Sequence, residues 1–308
     1  MTLQRQPAQD RQGYRDELLD AGLLIATGVD GLYGRSGCFE GIVSALEHLV
    51  TRAGADQAAS VVRFAPVVPR PVFERSDYLR SFPNLTGSVH TFDGDDRAHA
   101  DLLAVLDDGG DWSAGLSPTE VVLCSAACHP LYPMLTGLLP PGGRRFDVYG
   151  WCFRHEPSLD PGRMQAFRQY EFVYVGDPEG ATAHRDLWVD RAAEVLVGDL
   201  NLDAKAEVAN DPFFGRAGRL LSAAQRTEAL KYELVCAIGP GEGSTAVVSS
   251  NGHKEHFGEA FAITVPGGGV AHSACVGFGM ERIVLALLHA HGLDPNGWPS
   301  SVRAALWP

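Results

Sequence analysis

The chain has 308 residues, 45% of them hydrophobic, enough to bury one large core or two modest ones. Its 25 Lys and Arg stand against 38 Asp and Glu, a net charge of −13 at pH 7; a phosphate backbone needs a positive field to displace its counterions, so tRNA is not an expected partner. No apolar run approaches the ~20 residues of a membrane span and the polar first twenty residues do not look like a signal peptide, so a cytoplasmic protein is expected.

In chain order, the pattern predicts a short amphipathic helix from Arg15 to Leu24, ending near Thr27 and Gly28. The glycine-rich run Gly28 to Ser36 reads as a turn or a phosphate cradle, although it matches neither the P-loop nor the dinucleotide fingerprint. A helix follows from about Cys38 to Ala53, apolar at Ile42, Val43, Leu46, Leu49 and Val50. A strand at Val61 to Phe64 leads into Pro66-Val67-Val68-Pro69, and residues 71–110 read as short elements carrying a solvated acidic surface. Val121 to Pro130 reads as a buried strand entering a turn. Its Cys124 and Cys128, four apart, are either a metal pair or buried thiols. The six cysteines lack the dense spacing of a disulfide scaffold.

Two runs rich in aromatic and β-branched residues, Trp151 to Glu156 and Arg163 to Val175, flank a segment holding Pro157, Asp160, Pro161 and Gly162. They read as antiparallel strands joined by a long loop. Alternation would put Arg154 and Glu156 on one face of the first strand, and Arg163, Phe167 and Glu171 on one face of the second. Periodicity leaves a solvated face and a charged site equally open. Further on, helices are expected around Asp186 to Val197 and Arg219 to Tyr232, the latter region basic through Arg216, Arg219, Arg226 and Lys231, and strands at Leu234 to Ile238 and Thr245 to Ser250. His253 and His256 with Glu255 invite a metal reading, but the order differs from His-Glu-x-x-His and no third ligand is evident. Gly277-Phe278-Gly279-Met280-Glu281-Arg282 opens a helix from Ile283 to His289. An arginine in its first turn opposes the helix dipole and calls for an anionic partner.

The run Phe153-Arg154-x-Glu156, a loop, then Arg163-xxx-Phe167 resembles motif 2 of the class II aminoacyl-tRNA synthetases. The resemblance implies an α+β fold, an antiparallel sheet flanked by helices. It also implies that Arg154 holds the ATP α-phosphate, Glu156 reads the adenine amino group, Phe167 stacks on adenine and Arg163 reaches the outer phosphates. Arg282 matches the motif 3 arginine of the γ-phosphate, and the helix before Pro66 resembles the dimer-forming motif 1. A closer resemblance is to the methanogen-type seryl-tRNA synthetases and their truncated bacterial homologues, the amino acid:carrier protein ligases. It rests on Thr27 to Arg35, Cys128 to Pro133, Cys152 to Gly176, Asp211 to Arg216 and the motif 3 region. It implies zinc on Cys128, Glu171 and Cys275, with Cys124 an extra thiol, and activation of glycine or alanine with ATP and Mg²⁺. Transfer to the phosphopantetheine thiol of an acyl carrier protein would follow, the acidic carrier docking near Arg216, Arg219 and Arg226. One catalytic domain, 1–308, is expected, as a homodimer without a tRNA-binding domain. The usual Mg²⁺ glutamate is replaced at Ala246 and Val247, leaving Glu233 as a candidate. A tRNA or small-molecule acceptor, or a non-catalytic amino acid sensor on the same fold, are the alternatives.

Overall fold

The computed structural model describes residues 7–211, 229–241 and 243–308. Seven strands form the central sheet: β1 (Ser60–Val62), β2 (Arg144–Phe153), β3 (Ala166–Gly176), β4 (Lys205–Val208), β5 (Lys231–Cys236), β6 (Thr245–Lys254) and β7 (His272–Gly279). Their spatial order is β4-β5-β6-β7-β3-β2-β1. Every pairing is antiparallel except β1 on β2, which is parallel at the edge. The expected antiparallel sheet is therefore present, with one parallel edge strand added.

The sheet separates two cores, and strand alternation decides which residue meets which. On β3, Tyr170 and Phe172 pack under the helices α2 (Gly37–Ala53), α4 (Pro178–Ala193) and α6 (Met280–His291). Val173 and Val175 point the other way, into a core with Cys128, Tyr132, Cys275 and Phe257 of the helix α5 (His256–Phe261). Glu171 shares their parity, so it faces the second core. Helix α2 forms where expected: Ser36 caps it by accepting from Phe39 N, and Ile42, Val43, Leu46, Leu49 and Val50 are all buried. Helix α3 (Asp96–Asp107), capped by Asp95, has no buried residue, in keeping with an acidic solvated surface.

Several expected boundaries shift for local reasons. The first helix, α1 (Pro7–Asp20), ends four residues before Leu24. There Gly22, at φ 66°, closes it, with Gly22 N bonded to Leu19 O and Leu23 N to Leu18 O, a Schellman motif. Leu24–Ala26 then pairs with Tyr33–Arg35 as a small hairpin. Helix α4 begins at Pro178 instead of near Asp186, because Asp177 caps Gly180 N and proline at the first position suits a helix start. Tyr232 lies in β5, not at a helix end, while Arg216, Arg219 and Arg226 fall outside the described residues. No helix among the described residues is long and apolar enough to cross a membrane.

A buried ion network ties these layers together. Glu281, at the start of α6, accepts from Arg168 Nε at 2.8 Å and from Arg168 N at 2.7 Å, with Arg35 Nη2 3.5 Å away. Arg168 also reaches Glu40 on α2 at 2.6 Å. The Glu281 side chain is only 2% exposed, so Glu281→Gln would leave two guanidiniums short of a buried counter-charge. A loss of about 3–5 kcal/mol in unfolding free energy is expected in denaturant melts; a loss below about 1 kcal/mol would mean the charges relax into solvent.

A second stability prediction concerns His184, which donates from Nε2 to Phe172 O at 3.0 Å while its buried Nδ1 has no partner. Burial lowers its pKa to about 4, against the opposing bond to Phe172. The unfolded chain binds that proton first, near pH 6.5, so stability falls as pH drops from about 6.5 to about 4 and flattens below. The loss is about 3 kcal/mol at full extent. Across that window His184→Gln should lose less in its urea midpoint than the parent; equal losses would refute the assignment.

Candidate active site

The connection between β2 and β3 builds one half of the site. Strand β2 stops at Phe153, so Arg154, Glu156 and Arg163 lie in the loop and not on alternating strand positions as expected. The loop brings them together all the same. Arg154 N donates to Gln165 O at 2.9 Å, and its Nε and Nη2 both donate to Ser125 O at 3.3 Å. Its guanidinium carbon sits 5.3 Å from the ring centroid of Phe167, the second residue of β3. Glu156 and Arg163 are 3.7 Å apart. From α6, Arg282 donates to Gly162 O at 2.8 Å and Ala246 O at 3.0 Å, clamping the loop to β6.

The glycine-rich run 28–36 turns out to brace this loop. Gly31, at φ 75°, accepts from Gln165 N at 2.7 Å, and a Cβ there would come within 2.9 Å of Arg163 O. Gln165 Nε2 adds a bond to Asp30 O at 2.8 Å. Two carbonyls of the run thus hold the loop in place, as a structural turn would.

Three guanidiniums, Arg154, Arg163 and Arg282, therefore converge beside an aromatic ring. Burial, and then the charge of Arg154, push the Arg282 pKa below the usual arginine range. Arg163 adds to the same repulsion. Such a cluster of preorganised donors suits a polyanion whose charge grows during reaction.

The second half lies on the face of β3 opposite the helices. Cys128 ends the segment after the strand Ser117–Leu123, Glu171 is on β3 and Cys275 on β7; their ligating atoms lie within 4.8 Å of one another and all three residues are buried. In register, Gly277 stands opposite Glu171, and a Cβ there would lie 3.6 Å from Glu171 Cγ. Glu171 Oε2 has no hydrogen-bond partner, and burial, then Cys275, raise the Glu171 pKa to about 8. The Cys128 thiol, hydrogen-bonded to Cys275, is pushed up, and Cys275 correspondingly down. Two buried thiols, one of them acidic, and an orphaned carboxyl oxygen fit a zinc ion with one position left open. Cys124 is not in this cluster: its thiol donates to Ala126 O at 3.0 Å.

Other candidates separate. His256 Nε2 lies 3.2 Å from Ser76 O, whereas His253 turns to Cys275, so the two histidines form no common site among the described residues. Glu233 is held 2.9 Å from Lys231 Nζ, which also pairs with Asp211. Among the described residues, Glu233 joins no group of three or more ligating side chains. Sequence reasoning missed the Ser125 carbonyl that holds Arg154, and Gln169, which accepts from Ala127 N at 3.3 Å and Cys152 Sγ at 3.0 Å. Neither had a signal, because one acts through its backbone and the other is a lone amide.

The sheet, with its motif 2 loop clamped by Arg282, is the class II aminoacyl-tRNA synthetase fold. M. kandleri SerRS in complex with A. aeolicus tRNASec matches it with a TM-score of 0.81 at 23% identity, covering 98% of this chain and 62% of that one. In sequence, the type-2 serine–tRNA ligase of Methanopyrus kandleri is 31% identical over 195 residues, 59% of this chain and 37% of that protein. The chain itself belongs to the family of amino acid–acyl-carrier-protein ligases: it is 42% identical over 293 residues to ligase 1 of Bradyrhizobium diazoefficiens, covering 94% of this chain and 89% of that one. No family model matches the chain.

Proposed function

We propose that the protein activates glycine or alanine with ATP and passes the aminoacyl group to the phosphopantetheine thiol of an acyl carrier protein. The observation that carries this reading is Phe167, which lies 5.3 Å from the Arg154 guanidinium and packs against the core holding Cys128 and Cys275 of the buried trio, in a chain of the carrier-protein ligase family.

In the first step the amino acid carboxylate attacks the α-phosphorus of ATP. A bond from that phosphorus to the carboxylate oxygen forms, the bond to pyrophosphate breaks, and aminoacyl-AMP results. Arg154 holds the α-phosphate and the incoming carboxylate, Arg282 and Arg163 the outer phosphates, and Phe167 stacks on adenine. Glu156, 3.7 Å from Arg163, reads the exocyclic amine. Held by Cys128, Glu171 and Cys275, zinc would supply a Lewis acid for the lone pair of the substrate amine. In the second step the carrier thiol attacks the adenylate carbonyl, loses its proton to solvent and displaces AMP, giving a thioester without a protein nucleophile.

The net charge of −13 argues against a tRNA acceptor, while the basic run Arg216, Arg219 and Arg226 suits an acidic carrier. A homodimer through α2 and β1, with 1–308 as one catalytic unit, completes the proposal; the outward-facing Val61 of edge strand β1, 66% exposed, supports it.

The test is ATP–pyrophosphate exchange across the twenty amino acids, followed by label transfer to holo-carrier, apo-carrier and tRNA. Exchange with one or two small amino acids and labelling of holo-carrier alone is expected. Exchange with tRNA labelling instead would move the acceptor, and none at all would favour a sensor.

A further inference from the structure

Strand β6 approaches the sulfur of Cys275 with two side chains that the activation chemistry does not use. Asn251 pairs directly with Cys275 in the β6–β7 register, so its side chain stands on the same face, and its Nδ2 lies 3.8 Å from Cys275 Sγ. Two residues on, the register slips between Gly252 and Lys254, and Lys254 takes a left-handed conformation at φ 50°. A bulge of this kind re-aims one side chain. Here it swings the His253 ring over the neighbouring strand, placing Nε2 3.6 Å from Cys275 Sγ.

The ring is fixed on its other sides. Nδ1 is 3.0 Å from Oγ of Ser273, which is fully buried and two residues before Cys275 on the same face of β7. Phe257 packs against the ring edge-to-face, at a centroid distance of 5.0 Å and an interplanar angle of 81°. In the tautomer that accepts from Ser273 at Nδ1, the ring N–H sits on Nε2, aimed at sulfur. His253 lies outside the trio whose ligating atoms are all within 4.8 Å of one another, and its contact is with the Cys275 sulfur.

We propose that His253, oriented by Ser273, and Asn251 are positioning residues that donate N–H hydrogen bonds to the Cys275 thiolate and thereby tune the metal held by Cys128, Glu171 and Cys275. This rests on the zinc reading above. Donation to the sulfur delocalises its charge and fixes its direction, so the bound metal is both better placed and more electron-poor toward a substrate amine.

The test measures zinc affinity by competition with a chromophoric chelator at fixed pH, and the thiolate-to-cobalt charge-transfer band of the cobalt-loaded protein. His253→Leu is expected to weaken zinc binding by about 10–100-fold and to move the cobalt band to lower energy. His253→Gln, which keeps an N–H, should recover most of both, and Ser273→Ala, which frees the ring without removing it, should fall between. His256→Gln, whose parent side chain faces Ser76, should match the parent. A folded His253→Leu and a folded Ser273→Ala that both keep the parent's affinity and band would overturn the inference while leaving the trio intact. Equal zinc binding by the parent and Cys128→Ser would instead overturn the zinc reading, and this inference with it.

Discussion

Replacing Arg154 with alanine is expected to lower amino-acid-dependent ATP–pyrophosphate exchange by about 10²–10³-fold, without loss of thermal stability. The two halves of that expectation have different origins. On the proposed assignment the guanidinium meets charge that develops on the α-phosphorus, where a preorganised donor acts on the transition state more than on bound ATP. Its existing bonds compete weakly: both go to the single carbonyl of Ser125 at 3.3 Å, long for a charged donor. Stability should hold because Arg154 repels Arg282 across the site, and removing one of two like charges relieves the other. Arg154→Lys should not restore exchange, since an ammonium keeps the charge but loses the planar fork. Exchange within tenfold of the parent in Arg154→Ala would remove the residue from the phosphate role.

The arginine cluster was readable in part. Arg154, Phe167 and Arg282 stood out through resemblance to motifs 2 and 3, yet Arg154, Glu156 and Arg163 do not share the alternating strand faces expected of them. Arg154, Glu156 and Arg163 converge because a loop folds back on Gly31 and Gln165. Loop closure leaves no period in the sequence, whereas the helix α2, with its apolar positions three and four apart, was legible almost to the residue. The metal trio was legible only through resemblance: its members come from a turn and two strands more than a hundred residues apart at the extremes. His253 was the opposite case. Its pairing with His256 looked meaningful in sequence, but the bulge in β6 sends the two rings to different partners. Glu281 and Arg168, which carry the buried ion network, gave no sequence signal, because an ion pair between distant residues has no local pattern.

Removing any one member of the trio is expected to have the other large effect. Cys128→Ser, Cys275→Ser and Glu171→Gln should each bring bound zinc, measured by atomic emission on purified protein, from one per chain to near zero, and ATP–pyrophosphate exchange should fall with it to the level of the chelator-treated parent. The reasoning starts from the metal-free arrangement, in which burial holds Glu171 largely protonated near neutral pH and one of its oxygens has no partner. Three acidic groups within 4.8 Å of one another cannot all be charged there unless a cation joins them. They therefore contribute nothing to a metal-free core that a neutral isostere would not match. Glu171→Gln supplies that isostere, so the chelated parent and the Gln variant should unfold at similar denaturant concentrations. The zinc-loaded parent should be more stable by about 4 kcal/mol when free zinc stands a thousandfold above its dissociation constant. If Glu171→Gln retained stoichiometric zinc, or if the chelated parent kept full exchange activity, the trio would be a packing feature and the amine would need another anchor.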